Sequence, residues 1–359
     1  MSKVAIIADT HFGRRNDSSV FLNYFNEFYE KVFFPTLEKY KIKEILHAGD
    51  LVERKKFLNS NTLYNMNSCF LDRVESEGYN MKLVLGNHDI YHKNTNEVNF
   101  PEQLLKKYKN IQVVKDVEEY IIDESKFLLC GWICDENKEK ILSKMSSTDA
   151  EFLFGHFEFN GFSTGVVTMK DGLEPSGLEK FRAVFSGHFH ESQTQNNIHY
   201  IGCPYEMDFF DVYQNKGFRI LDTVTGEYEF IPNPSKIFQK FIYDDTNHSI
   251  LKDCCSDFSV FKDSYVKVIV QNKTNIKLFE QFKENLISSS PADLDIDDYF
   301  VLRSSSTDEN YSLPEYLDTL EAIEKYVAEN VEFEDKESLV SYFKTTYIEA
   351  ENSVKIQED

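Results

Sequence analysis

Five short apolar runs in this chain each end on side chains that bind metal ions. They are "VAIIADTH" (Asp9, His11), "ILHAGD" (Asp50), "LVLGNHD" (Asn87, His88), "FLFGH" (His156) and "VFSGHFH" (His188, His190). Each run has the length and composition of a buried strand, and the polar group follows it directly, usually across a glycine or alanine. In open α/β sheets, ligands collect beyond the carboxyl ends of the strands. Five strand ends that converge on one pocket leave few folds open to such a chain. The stretch "SGHFHESQ" sharpens the point, because residues two apart on an extended segment face the same side and both imidazoles can reach one site.

Asp9, His11, Asp50, Asn87, His156, His188 and His190 make seven oxygen or nitrogen donors. That is too many for one ion with open positions and suits two divalent ions sharing one carboxylate. Asp50 is the natural bridge, having two oxygens. Two dications against Asp9, Asp50 and a hydroxide leave a positive balance that suits a phosphodiester anion. His88, next to the ligand Asn87, is the free histidine placed to meet substrate, stabilise developing charge and protonate a leaving oxygen.

At 359 residues the chain exceeds the size at which one core stops growing, so a large domain with a smaller appendage is expected. Strand and helix alternate from Val4 to about Pro234, with helices near Val20–Tyr40, Asn61–Glu77 and Pro101–Tyr108. "KFLLCGW", "HYIGCP", "GFRILD" and "EYEFIP" read as later strands, and "IPNPSK" closes the large domain. Beyond it, "SYVKVIV", "NIKLFEQFKENLI" and "DDYFVLR" predict a strand–helix–strand unit in which "SSSPADLDIDD" is a solvated acidic loop. After a flexible stretch, "SLPEYLDTLEAIEKYV" and "ESLVSYFKTTYI" keep helical spacing, the first opening on a capping box of Ser312 and Glu315.

No secretory leader precedes the first strand, and no apolar run approaches the roughly 18 residues that span a bilayer. The six cysteines follow no C-x-x-C pattern and read as reduced thiols of a cytoplasmic protein. With 61 acidic against 39 basic residues the net charge is −22, more than half of it after residue 235. This argues against a broad basic surface, so nucleic acid would be held by local patches. Arg14 and Arg15 after the first motif, and Arg54, Lys55 and Lys56 after the second, are the candidate phosphate contacts; ordinary solvated loop charge is the alternative. His47, inside a strand run, reads as a core histidine. Asp89 and Glu191 are candidates for bracing the ligands, and His92, His199 and His248 show no partner pattern.

"ADTH", "GD", "GNHD", "GH" and "GHFH", in that order, resemble the five signatures of the calcineurin-like metallophosphoesterases. Within that superfamily the chain is most similar to the SbcD-type double-strand-break repair nucleases, in particular the recombination endonuclease subunits of T-even phages. "CGWICDENKEKIL", "FGHFEFNGF", "GLEPSGLEKFRAVFSGHFH" and "YIGCPYEMD" carry that likeness outside the metal signatures. The resemblance implies an α/β fold: a two-sheet metallophosphoesterase sandwich flanked by helices (1–235), a small α/β capping domain governing DNA access (236–303) and a helical partner-binding segment (304–359).

The resemblance further implies two divalent ions, manganese or else magnesium, one held by Asp9, His11, Asp50 and His190, the other by Asp50, Asn87, His156 and His188. His88 would be the catalytic histidine. Implied activities are 3′ to 5′ exonuclease on duplex DNA and endonuclease on single strands, in recombination, repair and replication. Implied partners are DNA and an SbcC-like coiled-coil ABC-type ATPase, with the chain a homodimer inside a heterotetramer in the cytoplasm, the host's if phage-encoded. Several cellular relatives carry a second active-site histidine three residues after the bridging aspartate, where this chain has Glu53. Glu53 is therefore expected to hold His88 and favour its protonated form. A phosphatase or cyclic nucleotide phosphodiesterase with the same dimetal site, and a non-catalytic scaffold of a repair complex, are the rival readings.

Overall fold

The computed structural model describes residues 3–164, 168–246 and 258–297, with single positions between 327 and 344. Residues up to Asp297 form one compact unit. The expected strand "DDYFVLR" beyond Asp297 and most of the two expected terminal helices lie outside the described residues, as does His248.

Two six-stranded sheets face each other. The first has the order β12-β11-β1-β2-β3-β4, built from β1 (Lys3–Ile7), β2 (Glu44–His47), β3 (Asn80–Val84), β4 (Ile111–Val114), β11 (Gly217–Asp222) and β12 (Tyr228–Pro232). Its strands β1 to β4 are mutually parallel. The second has the order β5-β6-β7-β8-β10-β9, from β5 (Val117–Ile122), β6 (Ser125–Cys130), β7 (Phe152–His156), β8 (Ala183–Gly187), β9 (Gln193–Gln195) and β10 (Ile198–Tyr200). Here β6, β7, β8 and β10 are parallel.

Near-continuous apolar runs, whose successive side chains point to opposite faces, make the central strands of both sheets apolar on both sides. Val4, Ile6 and Ala8 of the first strand segment meet Leu46, Val84, Phe127, Phe152, Phe154 and Phe185 between the sheets. Ala5 and Ile7 point the other way, into a core with the helices that is unusually rich in Phe and Tyr. The helix expected over Val20–Tyr40 is present as Ser19–Phe28 and Phe34–Tyr40, joined by a π-helical turn at Tyr29–Phe33. Phe21, Phe25, Phe28, Tyr29 and Phe33 lie on its buried side. The helix expected near Asn61–Glu77 has the same make-up, with a π-helical turn at Asn67–Leu71.

A third sheet, β13 (Phe238–Asp244), β14 (Tyr265–Asn272) and β15 (Asp293–Asp297), is parallel throughout and is covered by the helix Ile276–Ser288. Phe279, Phe282 and Leu286 of that helix pack on Tyr243, Val266, Val268 and Val270 as a separate core. One expectation is corrected here. The segment read as a solvated acidic loop contains β15, "DLDID", whose Leu294 and Ile296 turn toward the helix while the three aspartates face outward. Net charge hid a two-residue period, and Lys267 on β14 meets Asp295 and Asp297 at 3.3 and 3.0 Å.

Candidate metal centre

The five motif loops leave the carboxyl ends of β1, β2, β3, β7 and β8, neighbours within their respective sheets. The loops touch closely. A Cβ on Gly49 would lie 2.7 Å from His156 Nδ1 and 2.8 Å from the Gly86 amide, and one on Gly86 would overlap the Asp50 carboxylate. The glycines of the motifs are thus required by approach, and Gly49 also has φ +90°. Four site residues share the left-handed region at greater cost: Asp9 (φ 53°), His11 (42°), Asp50 (55°) and His188 (94°). Such strain persists where surrounding contacts over-determine it.

Those contacts are visible. The Asp89 carboxylate accepts from the amides of Gly86, Asp50 and Leu51 at 2.9 Å and of Val52 at 3.3 Å, tying the loops after β2 and β3 together. The Asp50 Oδ1 accepts from the His88 amide at 2.8 Å, and Asp9 accepts from the His188 amide at 2.9 Å. Asp9, His11, Asp50 and His156 are buried; Asn87, His88, His188 and His190 are partly exposed.

The seven expected donors come together in two groups. Ligand atoms of Asp9, His11 and His190 lie within 4.8 Å of one another, and so do those of Asp50, His156 and His188. Asn87 Oδ1 is 3.0 Å from both His156 Nε2 and His188 Nδ1, and His11 Nε2 is 3.0 Å from His190 Nε2. Asp50 Oδ2 stands between the groups, 3.6 Å from His11 Nε2 and 3.4 Å from His156 Nε2.

Two of the four rings have their remote nitrogen fixed by a hydrogen-bond acceptor, and a third faces a carboxylate. His156 Nδ1 donates to the Ala48 carbonyl at 2.7 Å, His188 Nε2 donates to Glu158 at 2.9 Å, and His11 Nδ1 lies 2.8 Å from the Glu53 carboxylate. The acceptor on the far side turns the other nitrogen of each ring inward toward the other donors, as in carboxylate–histidine–metal arrangements. Burial lowers the pKa of His11, His188 and His190, which keeps these rings neutral. Burial would also lower His156, but Asp50 beside it outweighs this and carries it up to about 9. Burial pushes Asp9 up to about 7, whereas in Asp50 the same effect is outweighed by His156 and His88, which hold it well below the carboxylate range. Imidazole, carboxylate and amide oxygen together fit divalent metal ions.

Glu53 reaches His88, but not as expected. Its main-chain carbonyl, rather than its carboxylate, accepts from His88 Nδ1 at 2.7 Å, leaving Nε2 as the nitrogen free to meet substrate. The carboxylate is spent on His11 and, at 2.7 Å, on Arg14. With Arg14 and His11 outweighing burial, its pKa is far below the usual range. The loop backbone brings Phe12 and Glu53 together, Glu53 donating its amide to the Phe12 carbonyl, so the side chain falls on the His11 side.

The expected phosphate contacts divide. Arg14 is enclosed by Glu53 and by Asp208 at 3.6 Å, Arg15 lies over the rings of Phe238 and Tyr265, and Arg54 is paired with Asp17 and bonded to the Gly13 carbonyl. These three are structural braces here. Lys55 and Lys56 have no ion pair among the described residues. His47 is a satisfied core histidine, fully buried, 3.0 Å from Thr10 Oγ1 and held by burial down to about 3. Glu191 lines a separate cleft with Arg219 and Tyr228. Sequence reasoning missed Glu158 and Trp132. The first stands two residues after His156, a spacing that could have revealed it; the second, at 5.7 and 5.3 Å from the His156 and His188 ring centres, has no local signal.

Residues 2–192 match the calcineurin-like phosphoesterase family. Exonuclease subunit 1 of Enterobacteria phage T4 is 29% identical over 308 residues, 85% of this chain and 87% of that protein. Among solved structures, an archaeal phosphodiesterase overlaps 64% of this chain and 99% of its own at 16% identity and a TM-score of 0.33. The glutamine-dependent NAD+ synthetase of Acinetobacter baumannii overlaps 96% of this chain and 72% of its own at 11% identity and a TM-score of 0.29. No helix among the described residues is long and apolar enough to cross a membrane.

Proposed function

Because the chain belongs to the calcineurin-like phosphoesterase family, we propose that it is a metal-dependent DNA nuclease of recombination and double-strand-break repair, a 3′ to 5′ exonuclease on duplex DNA and an endonuclease on single strands. The observation that carries the reading is the set of oriented imidazoles, whose inward nitrogens converge with Asp9, Asp50 and Asn87. The similarity to the T4 exonuclease subunit across most of both chains favours DNA over a small phosphate ester.

Asp9, His11, Asp50 and His190 would hold one divalent ion, and Asp50, Asn87, His156 and His188 the other, manganese being the proposed metal and magnesium the alternative. When bound, these ions supply a nucleophile at neutral pH and neutralise charge on the phosphate. The protein does the rest. Asp89 fixes the two loops that carry Asp50 and Asn87, and the Glu53 carbonyl orients the His88 ring so that Nε2 can give its proton to the leaving oxygen. Lys55, next to the centre, attracts the phosphodiester. As the T4 relative is named a subunit, the chain is further proposed to work as a homodimer with an SbcC-like coiled-coil ATPase in the cytoplasm.

The test is cleavage of end-labelled duplex and single-stranded DNA with manganese or magnesium, by wild type and His88→Ala, with and without the ATPase. Metal-dependent cleavage that His88→Ala reduces at least about a hundredfold is expected. Intact DNA in every lane, with hydrolysis of p-nitrophenyl phosphate or a cyclic nucleotide, would replace the nuclease by a small-ester phosphoesterase. Hydrolysis of neither would leave a scaffold.

A further inference from the structure

A cleft of about 190 Å³ opens beside the second donor group, bounded by Trp132, Ile133, Lys138, Glu158, Asp171 and Leu173, with the ligand His156 in its wall. Trp132 is the chain's single tryptophan. Its indole borders both His156 and His188, and its backbone is pinned at both ends: the amide donates to the Leu85 carbonyl at 2.7 Å, and the carbonyl accepts from Asn96 at 2.8 Å and Asn137 at 3.0 Å. An aromatic plate is therefore held rigid and partly exposed next to the metal donors. The opposite wall is fixed as well, because Leu173 donates to the Glu158 carbonyl at 2.6 Å and a Cβ on Gly172 would collide with that same carbonyl.

The charge around the cleft selects its occupant. Glu158, Asp135 and Asp171 line it against Lys138 and the His156 ring, so acidic groups outnumber basic ones and a phosphate is disfavoured inside. A neutral planar ring fits, stacking on the indole and offering amino groups to the carboxylates. We infer that this cleft receives the nucleobase of the nucleotide whose phosphate lies at the metal centre, with Trp132 as its stacking platform. The inference rests on the nuclease reading and adds to it a substrate-binding residue and a preference for bases that carry an exocyclic amine.

The lone tryptophan reports directly on occupancy. Emission of the full-length, magnesium-loaded protein is expected to change on titration with dAMP or dCMP, less with dTMP, and not with inorganic phosphate or ribose 5-phosphate. In Trp132→Leu the KM for single-stranded DNA is expected to rise about tenfold with kcat little changed, in line with the loss of one stacked base. Trp132→Phe should retain most of the affinity, and methyl p-nitrophenyl phosphate, which has no base, serves as the wild-type control for the metal centre alone. Equal responses to dAMP and inorganic phosphate, or unchanged KM in Trp132→Leu while wild type cleaves DNA, would overturn the cleft assignment alone. If Trp132→Leu does not fold, the emission titration of wild type still decides. Failure of wild type to cleave any DNA while it hydrolyses the methyl ester would instead remove the nuclease reading on which the assignment stands.

Discussion

At the scale of single residues, the division of labour around His11 and His88 turns on one side chain. Glu53 uses its carboxylate on His11 and its carbonyl on His88, so a substitution that keeps the backbone separates the two roles. In Glu53→Gln the carbonyl still orients His88, while His11 loses the carboxylate that fixes its tautomer and raises its basicity. Loss of such an outer partner typically costs ten- to a hundredfold in metal affinity. Manganese binding to Glu53→Gln, followed by titration calorimetry, is therefore expected to weaken by that factor, with turnover near that of wild type once metal is saturating. Unchanged affinity with depressed turnover would show that the carboxylate serves His88 after all. The convergence of the seven candidate donors was legible in the sequence because they follow directly on five strands, a purely local pattern. Their braces were not. Which atom of Glu53 meets His88, or that Asp89 gathers amides from two loops, depends on backbone segments that sequence does not bring side by side.

At the scale of elements, the two sheets are joined at their edge by His199. It lies on β10, packs on Phe185 of β8 at 5.3 Å and on Tyr228 of β12 at 4.7 Å, and is 3.1 Å from both the Tyr228 and Thr194 hydroxyls. Burial, with the Arg219 cation nearby, holds its pKa down to about 4 from an ordinary 6.5. The folded state therefore favours the neutral ring. Its contribution is complete above pH 6.5 and is lost as the pH falls from there toward 4, because the unfolded chain takes up the proton first. By pH 5 the loss is about 2 kcal/mol. Urea denaturation at pH 7.5 and pH 5 is expected to show a fall in stability that is smaller by about that amount in His199→Gln, and equal falls would place the charge elsewhere. Sequence offered no partner for His199, since both of its ring neighbours come from distant strands. Strands with long apolar runs could be read directly, whereas β4, at four residues, and β5, "VEEYII", carry polar positions that suit an edge or a surface equally well. In β15 the alternation was present but charge outweighed it in the reading.

At the scale of the whole molecule, a net charge of −22 must be reconciled with the polyanionic substrate proposed above. Long-range attraction is absent, so association with DNA depends on the few cations beside the metal centre and on the ions themselves. The sequence offered five basic residues there. Arg14, Arg15 and Arg54 are committed to carboxylates, a carbonyl and aromatic rings, which leaves Lys55 and Lys56, with Lys138 at the mouth of the cleft. Each phosphate neutralised contributes about 0.9 to the slope of log K against log salt on duplex DNA. Two or three contacts then give a slope of about −2 to −3, shallow beside proteins that bind DNA through a basic face. Anisotropy of a labelled duplex between roughly 50 and 200 mM salt, with calcium in place of a catalytic ion, is expected to show that slope for the isolated chain. Lys55→Ala should bring it about 1 closer to zero, since the lost contact is a single phosphate. A wild-type slope steeper than about −6 would mean that six or more phosphates are neutralised. The arginines would then have to leave Glu53 and Asp17 when DNA binds, and the loops after β1 and β2 would be rearranged by the substrate rather than prepared for it.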